Sequence, residues 1–312
     1  MALIKLLNIT RLTLELRNNS IESIGVKFLS TALITLINLS NLSLGLSNNN
    51  SIGDSGVKYL STALIKLFNL SSLTLNLNSN SIGNSGVNYL STALIMLINL
   101  SSLTLGFKNN SIGDTGVNYF STALIKLISL ESLTLNLDCN LIGDLGVNYL
   151  STALIMLINL SSLTVGINCN SIGDTGVNYL STALIKLINL SSLALGLSSN
   201  NSLGDSGVNY LSTALIKLIN LSNLTLNLTN NSIGNSGVNF LSTPLIKLIN
   251  LKWLSLYLSN NLIGESGVNY LSTALGKLVK LSSLTLNLSH NNLIGDTGVN
   301  LLSTGLNKLV NL

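Results

Sequence analysis

The chain has 312 residues, of which 46% are hydrophobic and only 8% charged, with a net charge of +4 and a mean hydropathy of +0.55. So apolar a composition invites a membrane reading, but the apolar runs, such as Ala93 to Ile98, fall far short of the ~20 residues a spanning helix needs. Most of these runs also carry a lysine, as Lys66 and Lys126 do, and no basic cluster of the kind that holds nucleic acid is present.

One text repeats along the whole chain. Equivalent starts fall at Ile9, Leu39, Leu70, Leu100, Leu130, Leu160, Leu190, Leu221, Leu251 and Leu281, a period of 30 residues, or 31 three times. A unit of this size cannot bury its own apolar face, so neighbours must stack into a solenoid. Residues 1–312 therefore form a single repeat domain of about ten units. The first nine residues read as the end of a unit and not as a signal peptide, since they align with Thr62 to Leu70 and lack a small-residue cleavage site. Leu312 is the first residue of a next unit. No polar capping unit is visible at either end, which predicts an array cut from a longer protein and prone to end-to-end self-association.

Within a unit the first segment alternates with period two. Leu73, Leu75 and Leu77 face one way while Ser72, Thr74, Asn76 and Asn78 face the other, which predicts a half-buried strand. A turn follows. Ten asparagines are aligned there, Asn19, Asn50, Asn80, Asn110, Asn140, Asn170, Asn201, Asn231, Asn261 and Asn292, and each is expected to bond main-chain groups of its own and the neighbouring coil. The three longer units place their extra residue in this turn, for example among Asn48, Asn49 and Asn50.

The rest of the unit has helical period. Val87, Leu90, Leu94 and Leu97 make one apolar stripe with Ala93 and Ile98 beside them. An Asp or Asn after the first glycine, as Asp54 or Asn84, is expected to serve its own helix as N-cap and dipole partner, and a lysine such as Lys66 to sit near the helix end. A tyrosine column, Tyr59 to Tyr270, reads as packing between adjacent helices. One strand and one helix per unit must curve, because helices are about twice as wide as the ~4.8 Å strand spacing. The sheet then lines the concave face and the helices the convex face.

The text L-x-x-L-x-L, then N-x-[IL]-G-[DN]-x-G-V-x-x-L-x-x-A-L, as in Leu70 to Leu94, resembles the leucine-rich repeats, specifically the long ribonuclease-inhibitor-like class. The resemblance covers the chain and implies an α/β horseshoe with scaffold or inhibitor-like roles. One departure is systematic: an extra Leu-x pair, Leu77 with its neighbour, precedes the asparagine.

Chemistry is sparse. Ile-Gly-Asp-Ser-Gly at Ile52 to Gly56 lacks the Gly-Lys-Ser/Thr of a nucleotide loop and reads as a helix start. His290 is the only histidine, so neither a His-based triad nor a His-based metal site is available. Cys139 and Cys169 hold one position of adjacent units. They read either as two small buried thiols in a reducing cytosol, the favoured alternative, or as a disulfide. No catalytic residue, metal ligand or cofactor site is expected.

Function must then lie on a surface. The concave columns are mostly small and neutral, and the departures from the text are the candidates. Trp253 and Tyr257, with Ser255 between them, are expected to share the concave face as an aromatic anchor, or to be a chance substitution. Arg11, Glu15 and Arg17 mark the first strand's face. Lys108 and Asp138 sit on adjacent strands and are expected to pair. The chain is read as a non-enzymatic, cytoplasmic scaffold for a protein partner, with no nucleic acid and no membrane. The alternatives are a regulator of an enzyme, as the small-GTPase activators of similar fold are, and a sensor or autoinhibitory segment of a larger receptor or kinase.

Overall fold

The computed structural model describes residues 8–48, 51–200, 203–291 and 293–309. Ten five-residue strands alternate with ten helices: β1 (Arg11–Glu15), α1 (Ser23–Leu33), β2 (Asn41–Gly45), α2 (Gly53–Leu64), β3 (Ser72–Asn76), α3 (Asn84–Leu94), β4 (Ser102–Gly106), α4 (Asp114–Leu124), β5 (Ser132–Asn136), α5 (Asp144–Leu154), β6 (Ser162–Gly166), α6 (Asp174–Leu184), β7 (Ser192–Gly196), α7 (Asp205–Leu215), β8 (Asn223–Asn227), α8 (Asn235–Lys247), β9 (Trp253–Tyr257), α9 (Glu265–Leu275), β10 (Ser283–Asn287) and α10 (Gly295–Leu306). The strands form one parallel sheet in sequence order, with equivalent residues in register, as Thr74 is with Thr104. Close contacts between elements link only consecutive strands or consecutive helices, so the fold is a one-dimensional stack.

Each coil encloses the same core. Leu73, Leu75 and Leu77 point inward from the strand, Ile82 from the turn, Val87, Leu90 and Leu94 from the helix, and Leu97 and Leu100 from the return, all buried. The end coils are more open. Leu284, Leu286 and Leu288, with Leu302 and Leu306 of α10, line an apolar hollow of about 420 Å³.

The asparagine ladder forms, with a shift from the expected register. Asn140 donates its Nδ2 hydrogens to the carbonyls of Phe107 (2.9 Å) in the preceding coil and Leu137 (3.1 Å) in its own, while its Oδ1 accepts the Ile112 N–H (3.0 Å). In the seventh and tenth coils this role falls to Asn200 and Asn291 and not to Asn201 and Asn292, which lie outside the described residues, as does Asn50. The reason is geometric: the latch must sit at a fixed distance from its strand, so the inserted residue is tolerated only downstream of it. Insertion still has a local consequence. Asn80 and Asn231 each follow a 31-residue unit, and each has a buried Oδ1 without a partner among the described residues.

The helix starts differ from expectation. No Asp or Asn at the start of a helix caps its own helix with its side chain; the N-cap position is a glycine in most coils. The carboxylate instead caps the next helix. Asp54 accepts the Gly83 N–H (2.7 Å), Asp114 that of Gly143 (2.7 Å), and Asp174 those of both Gly204 (2.8 Å) and Gly207 (2.9 Å). Asn84 does the same for Gly113 (2.9 Å) and Gly116 (3.0 Å). The residue already lies in the first helical turn, where its side chain points to the adjacent coil and meets amides that no helix satisfies internally. The second glycine of the motif follows from this: a Cβ on Gly146 would lie 2.5 Å from Asp114 Oδ1 and 2.7 Å from Ile142 Cγ2.

Two further expectations shift at the helix exits. Helices end at Leu64, Leu94 and their equivalents, so the lysines sit just beyond the last turn, Lys247 of α8 excepted. Ile98 lies outside the apolar stripe and is 58% exposed. The asparagine after it forms a second ladder: Asn69, Asn99, Asn159 and Asn189 donate to the main-chain carbonyls of Ile37 (3.0 Å), Phe68 (3.1 Å), Ile128 (3.0 Å) and Ile158 (3.1 Å), each one coil back. The tyrosine column lies between helices, with the Lys27 and Lys58 ammonium groups 5.7 Å and 5.5 Å from the Tyr59 and Tyr89 ring centres.

Candidate functional site

The concave face is built from three side-chain columns that alternate with the buried leucines. Trp253, Ser255 and Tyr257 share this face on β9, in register with Asn223, Thr225 and Asn227 of β8 on one side and with Ser283, Thr285 and Asn287 of β10 on the other. Trp253 is half exposed, whereas Ser255 and Tyr257 are partly covered by their neighbours.

Beside them lies a depression of about 270 Å³ that spans β5 to β8. Its floor is Thr134, Thr164, Ala194 and Thr225, and its rim includes Asp138, Asn168 and Asn227. The depression exists because Gly166 and Gly196 carry no side chain in the second column. They are held free of one by their neighbours. A Cβ on Gly166 would lie 2.9 Å from Asp138 Oδ1, and one on Gly196 2.5 Å from Asn168 Nδ2.

Those neighbours stitch the third column together. Asp138 Oδ1 accepts the main-chain N–H (2.9 Å) and Nδ2 (2.8 Å) of Asn168, and Asn168 Oδ1 accepts the N–H (2.7 Å) and hydroxyl (2.8 Å) of Ser198. Asn78 likewise accepts the Lys108 N–H (2.7 Å) and occupies the space beside Gly106. The expected Lys108–Asp138 ion pair does not form among the described residues, because the Asp138 carboxylate is turned forward onto Asn168.

At the first strand Arg11 and Glu15 are exposed on the concave face, and Arg17 follows just past the strand. Arg17 pairs with Glu15 at 3.5 Å, both solvent-exposed, a contact that contributes little. Glu15 also lies across Gly45, its partner in the ladder. Arg11 borders a shallow hollow of about 170 Å³ with Asn41, Ser43 and Thr74.

The two cysteines are free thiols, and the expectation that they are buried is overturned: Cys139 is partly exposed and Cys169 exposed. Both take left-handed backbone (φ 53°) in the turn after the strand, which aims them away from the core. Partial burial, and then the Cys169 thiol beside it, push the Cys139 pKa up. His290 is exposed in the equivalent turn of the last coil. Among the described residues no three His, Cys, Asp or Glu side chains cluster as metal ligands.

Comparison with known proteins agrees with this architecture. Residues 42–61, 69–91, 220–242 and 280–303 match the family described as Leucine Rich repeat. A search of curated proteins found no match. Among solved structures, internalin C2 from Listeria monocytogenes is similar at 24% identity and a TM-score of 0.50, over 85% of this chain and 92% of that one. Internalin F from the same organism is similar at 23% identity and 0.47, over 97% and 87%. The ectodomain of the Arabidopsis receptor kinase HAESA, solved with a peptide hormone, is similar at 20% identity and 0.47, over 84% and 38%. The fold of this chain is that of a leucine-rich-repeat solenoid.

Proposed function

For this leucine-rich-repeat array, we propose a non-enzymatic role: a scaffold that binds a protein partner on its concave sheet between β5 and β9. The observation that carries the reading is continuity. The depression's β8 wall, Thr225 and Asn227, is hydrogen-bonded in register to Ser255 and Tyr257. A bound segment crossing the strands would therefore pass from a small, polar trough onto the aromatic step of Trp253 and Tyr257. Aromatic side chains are over-represented among the residues that carry most of the energy of an interface. The trough is preorganised, since Asp138, Asn168 and Ser198 are already fixed by their own bonds. A five-residue strand alternating with a helix of about three turns supports the ribonuclease-inhibitor-like class. The free thiols Cys139 and Cys169 suit a reducing, cytoplasmic setting.

A selection from a random-peptide display library tests the reading. Peptides enriched on the wild-type chain are expected to lose at least about tenfold in affinity on the Trp253→Ala/Tyr257→Ala variant, the cost of two interface anchors. A further loss is expected when Gly196→Val fills the trough. Enriched peptides that bind all three proteins equally would place the binding surface elsewhere.

A further inference from the structure

The helix-exit edge of the solenoid carries a feature that the concave reading does not use. From Ile37 to Val279 every coil holds one large apolar side chain in solvent at the same position, each about half exposed, including Phe68, Ile98, Ile128 and Ile188. An asparagine ladder beneath ties Ile37, Phe68, Ile128, Ile158, Ile188 and Ile219 to the coil that follows, and it lapses only where Ser129 and Lys280 replace the asparagine in the coils after Ile98 and Ile249. Two residues earlier in each coil stands a second exposed position. It is lysine in most coils, Met96 and Met156 in two, and Thr35 in the first, and it is never acidic.

Charge is segregated across the width of the molecule. The acidic row from Asp54 to Asp205 lies at the opposite edge, tied to the glycine amides there. None of the lysines of the exit edge is in an ion pair among the described residues. Lys252 and Lys280 add two more cations beside Ile249 and Val279, and Glu131 is the one acidic side chain bordering this edge among the described residues. An apolar row with one exposed side chain per coil, flanked by unpaired lysines and with methionine as the accepted alternative to lysine, matches an interface whose partner is apolar inside and anionic outside.

We propose that the helix-exit edge is a peripheral docking surface for an anionic phospholipid bilayer. The isoleucine row enters the boundary between headgroups and acyl chains, and the lysine stems lie along it with their ammonium groups among the phosphates. No helix among the described residues is long and apolar enough to cross a membrane. The expectation of no membrane rested on span length, which a surface contact does not require. The docked edge leaves the concave sheet open, so one array could hold a protein partner at a membrane surface.

Flotation of the full chain with vesicles tests this. Strong binding is expected to phosphatidylcholine vesicles that contain phosphatidylserine, at least about tenfold weaker binding to phosphatidylcholine alone, and release by high salt. The Ile128→Ser/Ile158→Ser/Ile188→Ser variant is expected to bind the anionic vesicles at least about tenfold more weakly. Its circular dichroism should be unchanged, because the ladder uses main-chain carbonyls and not these side chains. Lys126→Gln/Lys186→Gln/Lys217→Gln is expected to abolish the preference for phosphatidylserine while Trp253→Ala/Tyr257→Ala leaves it unchanged, which keeps this surface separate from the concave one. Absence of flotation with anionic vesicles at low salt would overturn the proposal. So would undiminished binding by the isoleucine variant, or binding of an RNA duplex by both proteins without vesicle binding, since either result would assign the edge to polyanions in general.

Discussion

The two edges of this solenoid are built from the same repeat text and differ in what they leave over. At the helix-start edge, Asp and Asn side chains, glycine amides and the turn asparagines consume one another. The second glycine of each motif has no room for a methyl group, and the polar atoms of the latch are buried. At the helix-exit edge an asparagine ladder runs through most coils too, but one large apolar side chain per coil, and a lysine in most, remain in solvent. The contrast teaches that repetition alone does not mark a residue as structural. The Ile142 and Ile128 positions both stay apolar from coil to coil, and only Ile142 is buried.

Substitutions can break or sharpen this contrast. The largest effect is expected for Asn140→Ala, which strands two carbonyls and the Ile112 amide in a buried turn and should cost about 3 kcal/mol or more in urea unfolding. Gly146→Ala forces a methyl group against Asp114 and Ile142 and is expected to cost about 2 kcal/mol. Asp144→Ala removes the cap of the following helix at Gly173 and should cost about 1 kcal/mol. Asp144→Asn is expected to retain most of that stability, because Asn84 and Asn235 cap the same way. Ile128→Ser, at the other edge, should change stability by no more than about 0.5 kcal/mol. A loss there as large as for Asn140→Ala would show that the exit edge is as structural as the start edge, and the contrast would fall.

Much of the architecture was legible because the period forces stacking and the alternation of Leu73, Leu75 and Leu77 fixes which face is core. What escaped was interaction between coils. A helix-start Asp reads as the cap of its own helix, since local sequence shows only its own neighbours, whereas the nearest unsatisfied amide belongs to the next coil. Ile98 reads as part of the stripe because the helical period was extended past Leu94, where the chain turns and reverses which side is buried. The third-column stitch did leave a signal. Where that column holds Asn78, Asp138 or Asn168, the following strand has glycine in the second column, at Gly106, Gly166 and Gly196. After Ser47, Lys108, Ser198, Thr229 and Ser259 it has Asn76, Asn136, Asn227, Tyr257 and Asn287. Alternation alone puts Trp253 and Tyr257 on the concave face, whereas the expected Lys108–Asp138 pair does not form, because the direction in which the carboxylate turns lies outside any column count.

The two start-edge ladders run in opposite directions along the chain. A helix receives its cap from the coil before it, as Gly143 does from Asp114, and a turn receives its latch from the coil after it, as Ile112 does from Asn140. During synthesis from the N-terminus, each new coil therefore finds its cap waiting but leaves its own turn unfastened until the next coil emerges. A growing array thus carries one open turn at its leading end at all times.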